Sequence, residues 1–151
     1  MEGSGYMKIL FVCTGNTCRS PMAEYLLRKH LQDQGSQTVQ VCSGGLCVAG
    51  GSPASPNSIE ALKEWGIDLS GFRSKTVSPE MIADADQIFT MTESHRDALA
   101  GAFPQFAYKI QTLKEGGDII DPYLQDLSVY QATRDEIDAW IRRRMDDGSI
   151  G

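Results

Sequence analysis

Lys8-Ile9-Leu10-Phe11-Val12 is an apolar run behind a single lysine, the pattern of a short strand buried on both faces. The run stops at Cys13-Thr14-Gly15-Asn16-Thr17-Cys18-Arg19, after which Ser20-Pro21 supplies an N-cap residue and a proline at the first helical position. Met22, Tyr25, Leu26 and Leu27 then fall on overlapping helical spacings, and Gly35 is placed to end that helix. Similar punctuation recurs downstream. Thr38-Val39-Gln40-Val41 reads as a short strand and Ser43 to Pro56 as a loop, with Ser55-Pro56 opening a second helix through Ile59, Leu62 and Trp65 to Gly66. Ser78-Pro79 opens a short third helix. Gln87 to Met91 reads as a strand, and Thr92 to Leu99 as a helix capped near Thr92 or Ser94. Lys109 to Leu113 is a weaker strand, followed by the polar segment Lys114 to Asp121. The last helix, from Ser128 to about Met145, puts Ile137, Trp140 and Ile141 on one face.

Strands alternating with helices imply an α/β chain with a parallel sheet, and right-handed crossovers make four strands, doubly wound with helices on both faces, the economical arrangement. Ligands of such sheets sit beyond the carboxyl ends of the strands. One domain over residues 7–148 accounts for the whole pattern, with Met1 to Tyr6 read as a tag or disordered leader. At 151 residues, 41% hydrophobic and 23% charged, the chain can bury a core without disulfides or metal. Its 14 Lys+Arg against 20 Asp+Glu give a net charge of −6, which argues against a surface that coats nucleic acid. Any phosphate must therefore be held locally. No stretch approaches the roughly 18 apolar residues of a membrane span, and the start lacks the basic and apolar regions of a secretory signal. The expectation is a cytoplasmic protein without membrane or nucleic-acid partners, whose four cysteines are thiols rather than a disulfide framework.

A loop that leaves a buried strand and enters a helix gathers backbone N–H groups and the positive end of the helix dipole around one point, which makes an anion site. Gly15 lets the loop curl, with Cys13 at the centre. Such a field favours the thiolate, the form of sulfur that attacks. Arg19, in the first helical turn, offers a planar fork to two phosphoryl oxygens. The chemistry that fits is in-line attack of sulfur on phosphorus, giving a phosphocysteine, with no metal or other cofactor. It still requires a proton donor for the leaving group. Asp121, stiffened by Pro122, follows the last strand signal and would reach the same crevice, with Tyr123 as a wall of the cleft. Asp118 is the second choice for that acid.

The run Cys13 to Glu24, with Cys42-Ser43-Gly44-Gly45 and Asp121-Pro122-Tyr123, resembles the low-molecular-weight protein tyrosine phosphatase family, and the resemblance extends from Met7 to the last helix. It implies the flavodoxin-like fold of that family, Cys13 as nucleophile, Arg19 as phosphate clamp and Asp121 as general acid. It implies a phosphate-binding loop of Thr14, Gly15, Asn16, Thr17, Cys18 and Ser20, in which Asn16, Ser20 and Ser43 hold the shape and Ser20 also stabilises the thiolate. Cys18 would form a reversible disulfide with Cys13. Phosphorylated proteins are then the substrates, and inorganic phosphate the product or an inhibitor. Many tyrosine-specific members carry a bulky aliphatic residue where this chain has Thr17, and Thr-Gly-Asn-Thr-Cys-Arg-Ser is similar to the branch acting on phosphoarginine, as are Thr112 to Glu115 and Thr133 to Glu136. Thr17 and Tyr123 are thus the expected selectivity residues. Phe72 stands where the family often has a histidine of the loop-bracing network.

Other readings of the same residues are weaker. Cys13-x4-Cys18 and Cys42-x4-Cys47 lie at the edge of zinc spacing, and the first pair adjoins Arg19. Arsenate reductases of the same fold use resolving cysteines later in the chain than Cys42 and Cys47, and a non-catalytic phosphate-binding module has no need of Cys13, Arg19 and Asp121 together. His30 and His95 read as helix-surface residues, Arg142-Arg143-Arg144 as a solvated helix end, and Gly44 to Pro56 as a loop lining the cleft entrance.

Overall fold

Ile9, Leu10, Phe11 and Val12 are all 0% exposed, so the centre of the first strand has no solvent face. In the computed structural model, which describes residues 6–48 and 50–151, this strand, β1 (Met7–Cys13), lies inside a four-stranded sheet. Its neighbours are β2 (Val39–Gly45) on one side and β3 (Gln87–Thr90) on the other, with β4 (Ile110–Thr112) beyond β3. All pairings are parallel. The expected leader lies, apart from Tyr6, outside the described residues.

Because successive strand residues face opposite ways, Ile9 and Phe11 join one core while Leu10 and Val12 join the other. On the Ile9 face pack α1 (Arg19–Asp33), α2 (Pro56–Lys63) and α5 (Leu127–Asp146), through Met22, Leu26, Leu62, Ile137 and Ile141. On the Leu10 face pack α3 (Pro79–Asp84) and α4 (Glu93–Ala102), through Ile82 and Leu99. This is the doubly wound α/β arrangement that the alternation predicted. The chain turns from one side of β1 to the other, which places the loop after β1 at the switch point of the sheet. No helix among the described residues is long and apolar enough to cross a membrane.

Several boundaries differ from the sequence reading, each for a physical reason. β2 continues through Ser43, Gly44 and Gly45, since parallel pairing with β1 persists to Cys13 opposite Gly45; Ser43 is therefore a strand residue rather than a loop residue. A Cβ on Gly45 would lie 2.7 Å from the Thr14 carbonyl oxygen, so only glycine allows that close approach. The first helix begins at Arg19 with Cys18 as cap residue, because the Ser20 hydroxyl is engaged elsewhere. Helix α5 starts at Leu127 rather than Ser128, capped by Asp126, which accepts the Val129 N–H at 3.3 Å. Trp65 lies beyond α2, where the Arg134 guanidinium stacks on it at 4.2 Å. A 3-10 segment, Pro104–Lys109, precedes β4 and was not anticipated. Arg144 is no solvated charge: it is buried, donates to the carbonyls of Thr112 and Leu113, and pins the end of α5 to the sheet.

Candidate active site

The loop Thr14 to Cys18 is shaped first by its carbonyls. The oxygens of Cys13, Thr14 and Thr17 accept the N–H groups of Leu46, Cys47 and Ser55, so this edge of the loop is bound to the segment that follows β2. In a trans peptide the N–H points opposite to the carbonyl, and there are no cis peptides among the described residues. The N–H groups of Thr14, Gly15 and Cys18 therefore point away from that edge of the loop.

Asn16 braces the loop from within. It is 0% exposed and sits in the left-handed region at φ 56°, which asparagine tolerates better than most residues. Its Oδ1 accepts the Lys75 N–H at 3.0 Å, and its Nδ2 donates to Ser20 Oγ at 2.8 Å and Ser43 Oγ at 3.0 Å. Ser43 in turn donates to Glu24 Oε1 at 2.6 Å, and Glu24 pairs with Arg28 at 2.6 Å. These donor directions leave the Ser20 hydroxyl hydrogen for Cys13 Sγ, 2.8 Å away. Asn16, Ser20 and Ser43 thus meet in one network, whose outer anchor is the buried carboxylate of Glu24. Phe72 does not replace a polar brace: it is buried edge-on against Tyr25, with ring centroids 6.1 Å apart.

Arg19 is buried at the mouth of the loop. Its Nη1 donates to the Ile119 carbonyl at 2.9 Å, and its Nη2 lies 3.5 Å from Asp121 Oδ2. Ile119 also donates its N–H to Met91 beyond β3, at 2.8 Å. Two hydrogen bonds on Ile119 thus bring Asp121 across a hundred residues of sequence to the loop. The Asp121 carboxylate is half-exposed, with Oδ1 accepting the Tyr123 N–H at 3.1 Å and Oδ2 toward Arg19. Asp118, the second choice, instead accepts the Glu93 N–H at 2.8 Å and serves the first turn of α4.

A cavity of about 300 Å³ collects Cys13, Thr14, Gly15, Thr17, Cys18, Arg19, Asp121 and Tyr123. Cys47 and Ser52 belong to its lining, so part of the Gly44 to Pro56 segment does edge the cleft. A larger groove of about 650 Å³, by Arg28 and Gly35, contains none of these residues. Cys18 donates to Ser55 Oγ at 3.5 Å and lies 3.4 Å from the Tyr130 hydroxyl. Burial, reinforced by the bond to Cys18, pushes the Tyr130 phenol up to about 12, which keeps it a hydrogen donor.

Sequence reasoning missed two residues. Glu24 closes the run that carries the resemblance and stands i,i+4 from Arg28, but no task was read for it. His95, read as a surface residue, is 9% exposed with Nε2 2.7 Å from Thr14 Oγ1. Burial, and then the charge of Arg19, holds the His95 imidazole below its ordinary range. His30 differs from that reading as well, meeting the buried Asp138 of α5 at 2.6 Å.

A family model described as low molecular weight phosphotyrosine protein phosphatase matches residues 8–147. The chain is similar to the protein-arginine-phosphatase of Bacillus subtilis (strain 168), at 38% identity over 91% of this chain and 93% of that one. It is also similar to the protein-arginine-phosphatase of Geobacillus stearothermophilus, at 42% identity over 90% of this chain and 92% of that one. Among solved structures, a YwlE arginine phosphatase, a cysteine-to-serine mutant with a phosphorylated active site serine, superposes with a TM-score of 0.89 at 36% identity. That match covers 93% of this chain and 95% of the other.

Proposed function

Since the chain belongs to the low molecular weight phosphotyrosine protein phosphatase family and is a protein phosphatase, we propose that it removes the phosphoryl group from phosphoarginine side chains of proteins through a phosphocysteine at Cys13. The observation that carries the mechanism is the convergence of Cys13, Arg19 and Asp121 on one cavity. Cys13 sulfur attacks phosphorus in line, and the bond from phosphorus to the leaving nitrogen breaks as Asp121 gives that nitrogen a proton. Loop N–H groups and Arg19 hold the charge on the equatorial oxygens. Asp121, now a carboxylate, takes a proton from water, which attacks phosphorus and releases inorganic phosphate and the Cys13 sulfur. The phosphorylated serine of the mutant relative supports a covalent route of this kind.

Two observations support phosphoarginine over phosphotyrosine. The two arginine phosphatases above are similar over nearly the whole chain. Thr17 lines the cavity with a small, polar side chain, where an aliphatic one would pack on a phenyl ring but crowd a guanidinium and offer it no hydrogen bond. Tyr123, more than half exposed beside Asp121, forms the facing wall. The test is a side-by-side assay of phosphoarginine and phosphotyrosine peptides with the wild type and Thr17→Ile. The wild type should favour phosphoarginine, and the substitution should move the ratio of kcat/KM values toward phosphotyrosine by about tenfold or more. An unchanged ratio would remove Thr17 as selector, and thiol-coupled arsenate reduction in place of phosphate release would overturn the function.

A further inference from the structure

Helix α4 is tied to the phosphate loop by a bond that the mechanism above does not use. Strands β1 and β3 are paired neighbours ending at the same edge of the sheet, so the loop after Cys13 and the start of α4 emerge side by side. Thr92 Oγ1 caps the helix by accepting the His95 N–H at 3.0 Å, which fixes His95 in the first turn. From there His95 Nε2 reaches Thr14 Oγ1 at 2.7 Å. The ring is nine-tenths buried, and its Nδ1 has no hydrogen-bond partner.

That unpartnered nitrogen decides the proton arrangement. A hydrogen on Nδ1 would leave a buried donor without an acceptor, the rarer and more costly defect, whereas a hydrogen on Nε2 is donated to Thr14 and leaves Nδ1 only a lone pair. The charged groups that face the ring are Arg19, Asp121 and Asp118; burial and Arg19 outweigh the two carboxylates and favour the neutral form. With Nε2–H as donor, the Thr14 oxygen is the acceptor, and its own hydroxyl hydrogen is left for the cavity that Thr14 lines beside Cys13 and Arg19.

We propose that His95 is a positioning residue for phosphoryl transfer, holding the Thr14 hydroxyl as a hydrogen donor to the phosphoryl group. This rests on the phosphatase reading above. It gives the loop one side-chain donor besides Arg19, set from an element that contributes nothing else to the cavity.

A double-mutant cycle on an activated aryl phosphate tests it, with His95→Leu, Thr14→Val, the double variant, and His95→Gln and His95→Asn. Each of His95→Leu and Thr14→Val should lower kcat about tenfold, with KM changed less, as for a hydrogen bond to a charged group that matters most in the transition state. The double variant should fall no further than the worse single one. His95→Gln, whose amide nitrogen reaches as far as Nε2, should recover most of the loss, while the shorter His95→Asn should not, at equal thermal unfolding temperature. Losses that multiply in the double variant, an unaltered His95→Leu, or a His95→Gln no better than His95→Asn would overturn the role. A wild type that released no phosphate would instead refute the phosphatase reading itself.

Discussion

Cys13→Ser is expected to lower steady-state turnover by on the order of ten-thousandfold or more, with little change in thermal stability. The sulfur lies 2.8 Å from Ser20 Oγ, which already accepts from Asn16 Nδ2 and has its hydroxyl hydrogen left for position 13. A hydroxyl at position 13 would have to lose its proton to attack, and no base among the described residues hydrogen-bonds to Cys13. A phosphoserine formed slowly would then also be a dead end, because an alkoxide leaves phosphorus far less readily than a thiolate. Phosphate release under steady-state conditions measures the loss, and a melting curve of the variant shows that the fold persists. A Cys13→Ser protein with undiminished turnover would exclude sulfur as the nucleophile.

The second large effect is expected at Asp121, and it depends on the substrate. Asp121→Asn should lower kcat by about a hundredfold to ten-thousandfold for a leaving group that needs a proton, and far less for an activated aryl phosphate, which leaves as a stable anion. The geometry explains the asymmetry: Oδ1 is held by the Tyr123 N–H while Oδ2 stays beside Arg19 on a half-exposed carboxyl that faces the cavity. An amide keeps the first bond but has no acidic proton to give. The comparison is made by kcat across a series of phenyl phosphates of rising phenol pKa. Equal losses along the series would count against Asp121 as the acid.

What the sequence disclosed follows from where the forces are local. Strand β1 was legible because Ile9 to Val12 are apolar without interruption, and the loop after it because glycine, cysteines, arginine and proline stand close together. Ser78 was legible as a cap and Thr92 as one of two candidates with Ser94; each accepts from the N–H three residues on. Long-range contacts hid the remainder. The extension of β2 through Gly45 is decided by its partner strand, not by the residues Ser43-Gly44-Gly45, which read as a loop. Arg144 belongs to a charged run, yet it is buried because the carbonyls of Thr112 and Leu113 are there to receive it. His95 lacks any motif of its own and Glu24 only ends the run from Cys13; their contacts arise from the approach of Thr14 and Ser43 across the fold. Asp121 was legible as the candidate acid from its place after the last strand signal, from Pro122 and from the resemblance; its approach to the loop depends on Ile119, which no pattern singled out.

A net charge of −6 disfavours an approaching phosphate dianion on average, so capture has to be local. In the proposed mechanism the loop N–H groups, the start of α1 and the buried Arg19 supply that capture, with Asp121 3.5 Å from Arg19. Formation of the proposed phosphocysteine is the central step. Rapid acid quench of the protein during turnover of a phosphorylated substrate, followed by mass analysis of its peptides, should find one phosphoryl group on the peptide bearing Cys13 and none there in Cys13→Ser at the same early time. Burst release of the leaving group with an unmodified Cys13, or with the phosphoryl group on another residue, would contradict it.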